Sequence, residues 1–465
     1  MHCQWRGCED WKNFGVPLST TSNEASKAFD ATLTQFVGLY NDVNTGGIKK
    51  SMTNMIQADP NFVMGHVLKN GLSVLGVSRT TRLDQCFAND LDRMVGLSKS
   101  PSVTEREKNH VKAVKLWADG FSDAACQVWE DILVDCPLDI LALKFSYDSY
   151  IYLGYSNRLR DGPGRVLPFW KPTMPLYGYV IGLHAFGLEE TNLLDRAEKA
   201  AKKALEINPR DAWATHSMCH VLETTGRQDD GIAFLTDTAK DWTTCGMLAC
   251  HNYWHWSLYY IEKADYQNAL NIYDNEVKIR STNSGTLFGL IDSCSLLFRL
   301  EMEGVDVGDR WNKVFERCRP HIDDHILAFN DLHLLMGCLG AKQKDITAKM
   351  MESIEQFVRE GKGTNQEVTR VVGQKLCESF VAYSDGDFAK AVDLLHPIRY
   401  NVIRIGGSHA QRDVFNLFLI QAAIKSPLKK HHKLARMLLL ERKSVKESTP
   451  MTDRLIERVM ALHAD

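Results

Sequence analysis

Residues 215–223 read THSMCHVLE and residues 250–262 read CHNYWHWSLYYIE. His216, His220 and Glu223 stand at i, i+4 and i+7, and His251 and His255 repeat the i, i+4 interval. Each set therefore shares one face of a helix. Imidazole nitrogens and a carboxylate so spaced can ligate a zinc- or iron-class ion, move protons, or staple neighbouring helices. The order HxxxHxxE is not HExxH, so the zinc-protease motif is absent. The expectation is histidines that pack and hydrogen-bond between helices, or that line a pocket for an organic ligand, with neither metal nor cofactor.

Other polar groups recur in the same part of the chain. Asp292, Ser293 and Arg299 interrupt the apolar IDSCSLLFRL. His321, Asp324, His325, Asp331 and His333 crowd into HIDDHILAFNDLH, and Arg412 and Asp413 follow a Gly-Gly turn. A buried charge without a partner costs several kcal/mol, so such residues form internal ion pairs or line a pocket. Trp254, Trp256, Tyr259 and Phe329 stand among them, and aromatic walls with a few converging polar groups suit a small-molecule site. The candidate pocket comprises His216, His220, Glu223, His251 and Trp254, with His255, Asp292, Arg299, Asp331 and His333. In it a histidine or carboxylate would serve as acid or base and Arg299 would anchor an anion. No catalytic residue is assigned, because there is no GxSxG elbow, no P-loop and no GxGxxG after a strand. Cys318 and His321, at i and i+3, do not make a cysteine protease.

Helices must position these groups. GFSDAACQVWEDILVDCP (120–137), NLLDRAEKAAKKALEINP (192–209) and ADYQNALNIYDNEV (264–277) share one pattern, and Ala125, Ala197 and Ala269 lie 72 residues apart twice over. Half that offset is close to the roughly 34-residue period of the tetratricopeptide repeat. The small residue lets paired helices approach, and the apolar residues around it form the buried stripe. Units are expected near 106–139, 179–212 and 252–285, with a later copy near 370–403. An N-terminal helical cap should occupy 1–105, and further helical repeats and a capping helix 286–465. Thr21 with Glu24 predicts a capping box, and Thr104 an N-cap. Two Gly-Pro-rich breaks are expected at 161–175 and 403–415. The basic stretch 425–443 reads as the solvated face of a capping helix. The fold class is all-α: a tetratricopeptide-like solenoid of antiparallel helix pairs in a superhelix.

Composition agrees. Of 465 residues, 44% are hydrophobic and 24% charged, the balance of a soluble globular chain. A net charge of −3 argues against nucleic-acid and membrane-surface partners. No apolar leader and no membrane-spanning run is seen, so a cytoplasmic protein is expected. The twelve cysteines include no CxxC and should be free thiols.

Beyond the repeats, PLSTTSNEA (17–25), LALKFSYDSYIYLGY (141–155), ACHNYWHW (249–256), DSCSLLFRLEMEGV (292–305) and GGSHAQRDVFN (406–416) resemble the tetratricopeptide repeat protein 38 family from end to end. The resemblance implies a soluble helical-repeat protein and implies no particular reaction. Two readings follow. One is a non-enzymatic protein that binds a protein, peptide or small-molecule partner in its concave surface. The other is an enzyme or small-molecule binder whose pocket is lined by the His, Asp, Arg and Trp residues above.

Overall fold

Thr104 opens the first repeat pair. Its hydroxyl accepts a hydrogen bond from the Glu107 amide at 3.2 Å, and the Glu107 carboxylate accepts one from the Thr104 amide at 2.9 Å. That closed capping box starts α1 (Glu105–Ala118), which packs on α2 (Ser122–Asp135). Ala125 is fully buried on α2, and Trp117 meets Trp129 edge to face at 5.3 Å. The computed structural model describes residues 4–75, 79–284, 286–446 and 449–462. Residue 285, the expected end of the third repeat unit, and Cys3 lie outside them. Among the described residues every regular element is helical. The chain divides into two compact units, Met1–Met218 with Lys240–Ala249 and Cys219–Ala239 with Cys250–Asp465.

In the first unit, helices Asn23–Gly38, Gly47–Ala58, Val63–Leu75 and Gln85–Leu97 precede α1. The cap of Asn23–Gly38 is Ser22, whose side chain accepts from the Ala25 amide at 3.1 Å, not Thr21. The helix begins one residue later than the expected box, and Glu24 instead accepts from the Ser22 hydroxyl at 3.3 Å. Farther along come α3 (Ser156–Val166), α4 (Tyr177–Glu189) and α5 (Leu194–Ile207). Ala197, Ala201 and Ala204 are fully buried on α5 and form the small stripe against which α4 packs.

The expected break at 161–175 is in part helix, because Pro163 lies inside α3. Proline lacks the N–H that would reach the carbonyl four residues back, that of Leu159. Gly187 of α4 sits directly on this carbonyl: a Cβ there would fall 2.2 Å from the Leu159 oxygen. The missing side chain is what lets the two backbones meet.

In the second unit, α6 (Ala212–Thr224) supplies its last turns, and α7 (Gly246–Glu262) supplies residues from Cys250 onward. The helix α8 (Tyr266–Ile272) follows, with Ala269 fully buried. Next are α9 (Leu287–Met302), α10 (Ala328–Gly340), α11 (Gln374–Ser384) and α12 (Phe388–Leu395). The chain ends with α13 (His409–Lys425), α14 (Lys429–Val445) and helix Pro450–Ala461. α9 packs on α10 and α13, α11 on α12, and α13 on α12 and α14. Phe380 of α11 stacks on Phe418 of α13 at 3.9 Å.

The second expected break, 403–415, is likewise only a turn. Gly406 and Gly407 have φ of 89° and 82°, the left-handed region that glycine tolerates. Ser408 then starts α13 through a capping box with Gln411, the side chains and amides exchanging bonds of 3.2 and 2.9 Å. No helix among the described residues is long and apolar enough to cross a membrane.

Gly187→Ala is expected to lower stability by about 1–3 kcal/mol, since the new methyl must displace backbone. Ala197→Leu should cost a similar amount at the α4–α5 crossing. Urea denaturation measures both, and unchanged midpoints would contradict the α3–α4 and α4–α5 packing.

Candidate functional site

Two features of the second unit bring chemistry together. The first is a trio of buried histidines. His220 is carried by the end of α6, where Tyr259 donates to the Cys219 carbonyl at 2.8 Å and ties that turn to α7. His251 and His255 stand one turn apart on α7. The ring of His255 lies 4.5 Å from that of His220 and 4.8 Å from that of His251. His251 Nδ1 lies 2.9 Å from Asp292 Oδ1, and His255 Nδ1 lies 3.2 Å from Glu223 Oε2. An ionised carboxylate only accepts, so each ring donates from Nδ1. Trp254 stacks on His251 at 5.0 Å and 10°.

Burial dominates the electrostatics. It pushes His255 well below the usual histidine range, helped by His220, His251 and Arg299. Burial also raises the Asp292 carboxyl, while His251 pulls it back toward the charged form.

The remaining candidates make further contacts. His216 belongs to the first unit, its ring 4.9 Å from Phe186 and 5.6 Å from Trp213. Asp331 pairs with His325 at 3.2 Å. His333 Nδ1 meets the Phe329 carbonyl at 2.7 Å, and its ring lies 4.4 Å from that of Phe329. Arg299 donates from Nη2 to the Ala410 carbonyl at 2.6 Å and lies over Trp254 at 5.5 Å. Of the ten candidates, the structure thus joins His220, Glu223, His251, Trp254, His255, Asp292 and Arg299. Asp331 and His333 find other partners, and His216 falls in the first unit.

The second feature is a cavity of about 410 Å³. Its apolar lining comes from Val402, Ile403, Leu419, Ile420, Leu438 and Val445. Its charged lining comes largely as pairs: Arg399 with Glu441 at 3.0 Å, Arg442 with Asp413, and Lys446 facing Glu223 at 3.9 Å. Arg412 adds a further cation. Arg442 and Arg299 hold the Asp413 carboxyl down at about 2 against its burial. Glu223 is common to both features: it lines the cavity and accepts from His255.

The sequence reading missed Arg399, Glu441, Arg442 and Lys446. α14 is not only a solvated face. Leu438, Glu441, Arg442, Val445 and Lys446 recur at i, i+3, i+4, i+7 and i+8, the signature of one helix face, and all line the cavity. The lysine-rich start of the stretch hid that periodicity.

No family model matches the chain. Similar solved structures include a chain of the APC/C hetero-tetramer Cut9-Hcn1, at 12% identity over 97% of this chain and 80% of that one, with a TM-score of 0.43. The human IFIT1 dimer with m7Gppp-AAAA matches at 11% identity over 96% of each chain, with a TM-score of 0.42. Yeast Tom70 matches at 13% identity over 95% of this chain and 89% of that one, with a TM-score of 0.31. Likenesses this faint carry no argument. The fold assignment rests on the helix pairs themselves.

Arg442→Met should destabilise the chain by about 2–4 kcal/mol at neutral pH, because it strands the Asp413 charge. Asp413 has a depressed folded pKa, so its stabilisation is present above about pH 4 and is lost as pH falls toward 2. The penalty of the substitution should therefore shrink below about pH 4, as urea melts across pH would record.

Burial lowers His333 to about 4. The unfolded chain binds that proton first, so stability present above about pH 6.5 should fall by roughly 3 kcal/mol as pH drops to about 4. Histidine-ring NMR should find the His333 midpoint near 4, and a midpoint near 6.5 would contradict its burial.

Proposed function

We propose that this chain is a tetratricopeptide-like binding protein of the tetratricopeptide repeat protein 38 type. Its ligand is a small organic anion with an apolar body, held in the cavity of the second unit. The observation that carries the reading is the lining itself. A volume of about 410 Å³ falls within the usual range for small-molecule sites. The wall combines aliphatic side chains with four cationic and three anionic ones. An aliphatic body gains from leaving water, while an anionic head gains from Arg412, Lys446 and their neighbours.

Among the described residues, His220, His251 and His255 do not border this cavity, and Glu223 joins it to them. A general base must reach the proton it takes. The cavity offers recognition groups, with His409 on its lining and the three clustered imidazoles set behind its wall.

Decanoate is a suitable probe. It should raise the melting temperature of the full chain in a concentration-dependent way, as mass action requires. Ile403→Trp, on an exposed rim position, should fill the cavity and abolish the shift while leaving the unliganded melting temperature near that of the wild type. Lys446→Gln should weaken decanoate about tenfold, by on the order of 1.4 kcal/mol. No shift for the wild type, or an equal shift for Ile403→Trp, would refute the reading.

A further inference from the structure

The histidine trio has the construction of a metal site. Two histidines at i, i+4 on one helix form a clip whose nitrogens reach the same side. His251 and His255 do so on α7, and His220 approaches from α6. One ring nitrogen of each lies within 4.8 Å of those of the other two. A tetrahedral ion with bonds of about 2.0–2.1 Å needs nitrogens roughly 3.3 Å apart, so each ring would move inward by less than about 1 Å. The rings are buried, at 1%, 2% and 0% exposure, which excludes competing water.

The outer carboxylates are the second observation. A metal-bound histidine characteristically donates its other ring N–H to a carboxylate, which fixes the tautomer and strengthens the ligand. Asp292 and Glu223 accept from Nδ1 of His251 and His255, which leaves the lone pair of both rings on Nε2. The two carboxylates differ in a telling way. Glu223 faces Lys446, whereas burial and His251 govern the buried Asp292. Asp292 Oδ2 has no hydrogen-bond partner among the described residues. A buried carboxylate with no fixed cation nearby is expensive, and a divalent ion on His251 would supply the missing charge.

We propose that His220, His251 and His255 bind a divalent transition-metal ion of the zinc class, with Asp292 and Glu223 as the carboxylates that orient two of the three rings. This site shares Glu223 with the ligand cavity, yet neither proposal requires the other. Nitrogen ligands in a water-excluded pocket suit zinc over magnesium or calcium, which take oxygen.

The test is to strip the full chain with a chelator, titrate Zn²⁺, dialyse, and measure retained metal by elemental analysis alongside the melting temperature. The expected result is one zinc per chain and a raised melting temperature. Asp292→Asn should weaken retention about 10- to 100-fold. The double variant His251→Gln, His255→Gln should retain no stoichiometric zinc. Titration with Co²⁺ should give the strong visible absorption of a tetrahedral nitrogen-ligated ion, absent in the double variant. Wild type that retains no zinc, or a double variant that retains as much, would overturn the proposal. Should the double variant fail to fold by circular dichroism, histidine-ring NMR of the wild type decides. Zinc-induced shifts of His220, His251 and His255 support the site, and unchanged rings overturn it.

Discussion

The hydrogen bond between Glu223 and His255 organises the polar interior of the second unit. Glu223 ends α6 and would otherwise be a carboxylate held against apolar helices, a costly arrangement. It accepts from His255 on one side and faces Lys446 on the other. One side chain thus fastens α6 to α7 and to the segment that follows α14. Because it also borders the cavity, a change of charge there reaches both the histidine trio and the lining.

The neighbouring helices repeat the same solution. α9 is buried on nearly every face, so Asp292 and Arg299 cannot snorkel to water and must find partners on other helices. Asp292 finds His251, and Arg299 finds the carbonyls at the start of α13. Asp413 finds Arg442, and Arg454 of the last helix reaches Glu303 at 3.1 Å. Breaking such a pair costs far more than its formation contributes, because it leaves a charge with nothing to answer it. These contacts fix which helix lies against which more than they add net stability.

What was legible in the sequence follows from the range of each interaction. The alanines of the repeat register act within one helix pair, and Ala125, Ala197 and Ala269 are fully buried. Thr104 acts within three residues, and its capping box is formed. The convergence of His220, His251 and His255 with Asp292 could be anticipated because helical spacing places each pair on one face. The partner of Asp413 could not, since Arg442 lies on another helix and nothing local links them. Asp331 and Asp292 look alike in the sequence, yet one meets His325 and the other His251, a choice made by packing. At 403–415 a readable signal was outweighed. Ser408 and Gln411 spell a capping box, but the two glycines before them suggested a longer break.

The dependence on Glu223 is tested most directly by a double-mutant cycle. Glu223→Gln, His255→Gln and the double substitution are compared with the wild type by urea denaturation at neutral pH. Residues that share one buried network should couple by about 0.5–3 kcal/mol, so the double substitution should cost less than the two single ones added together. Strict additivity would mean that the two side chains act independently, and would contradict the account.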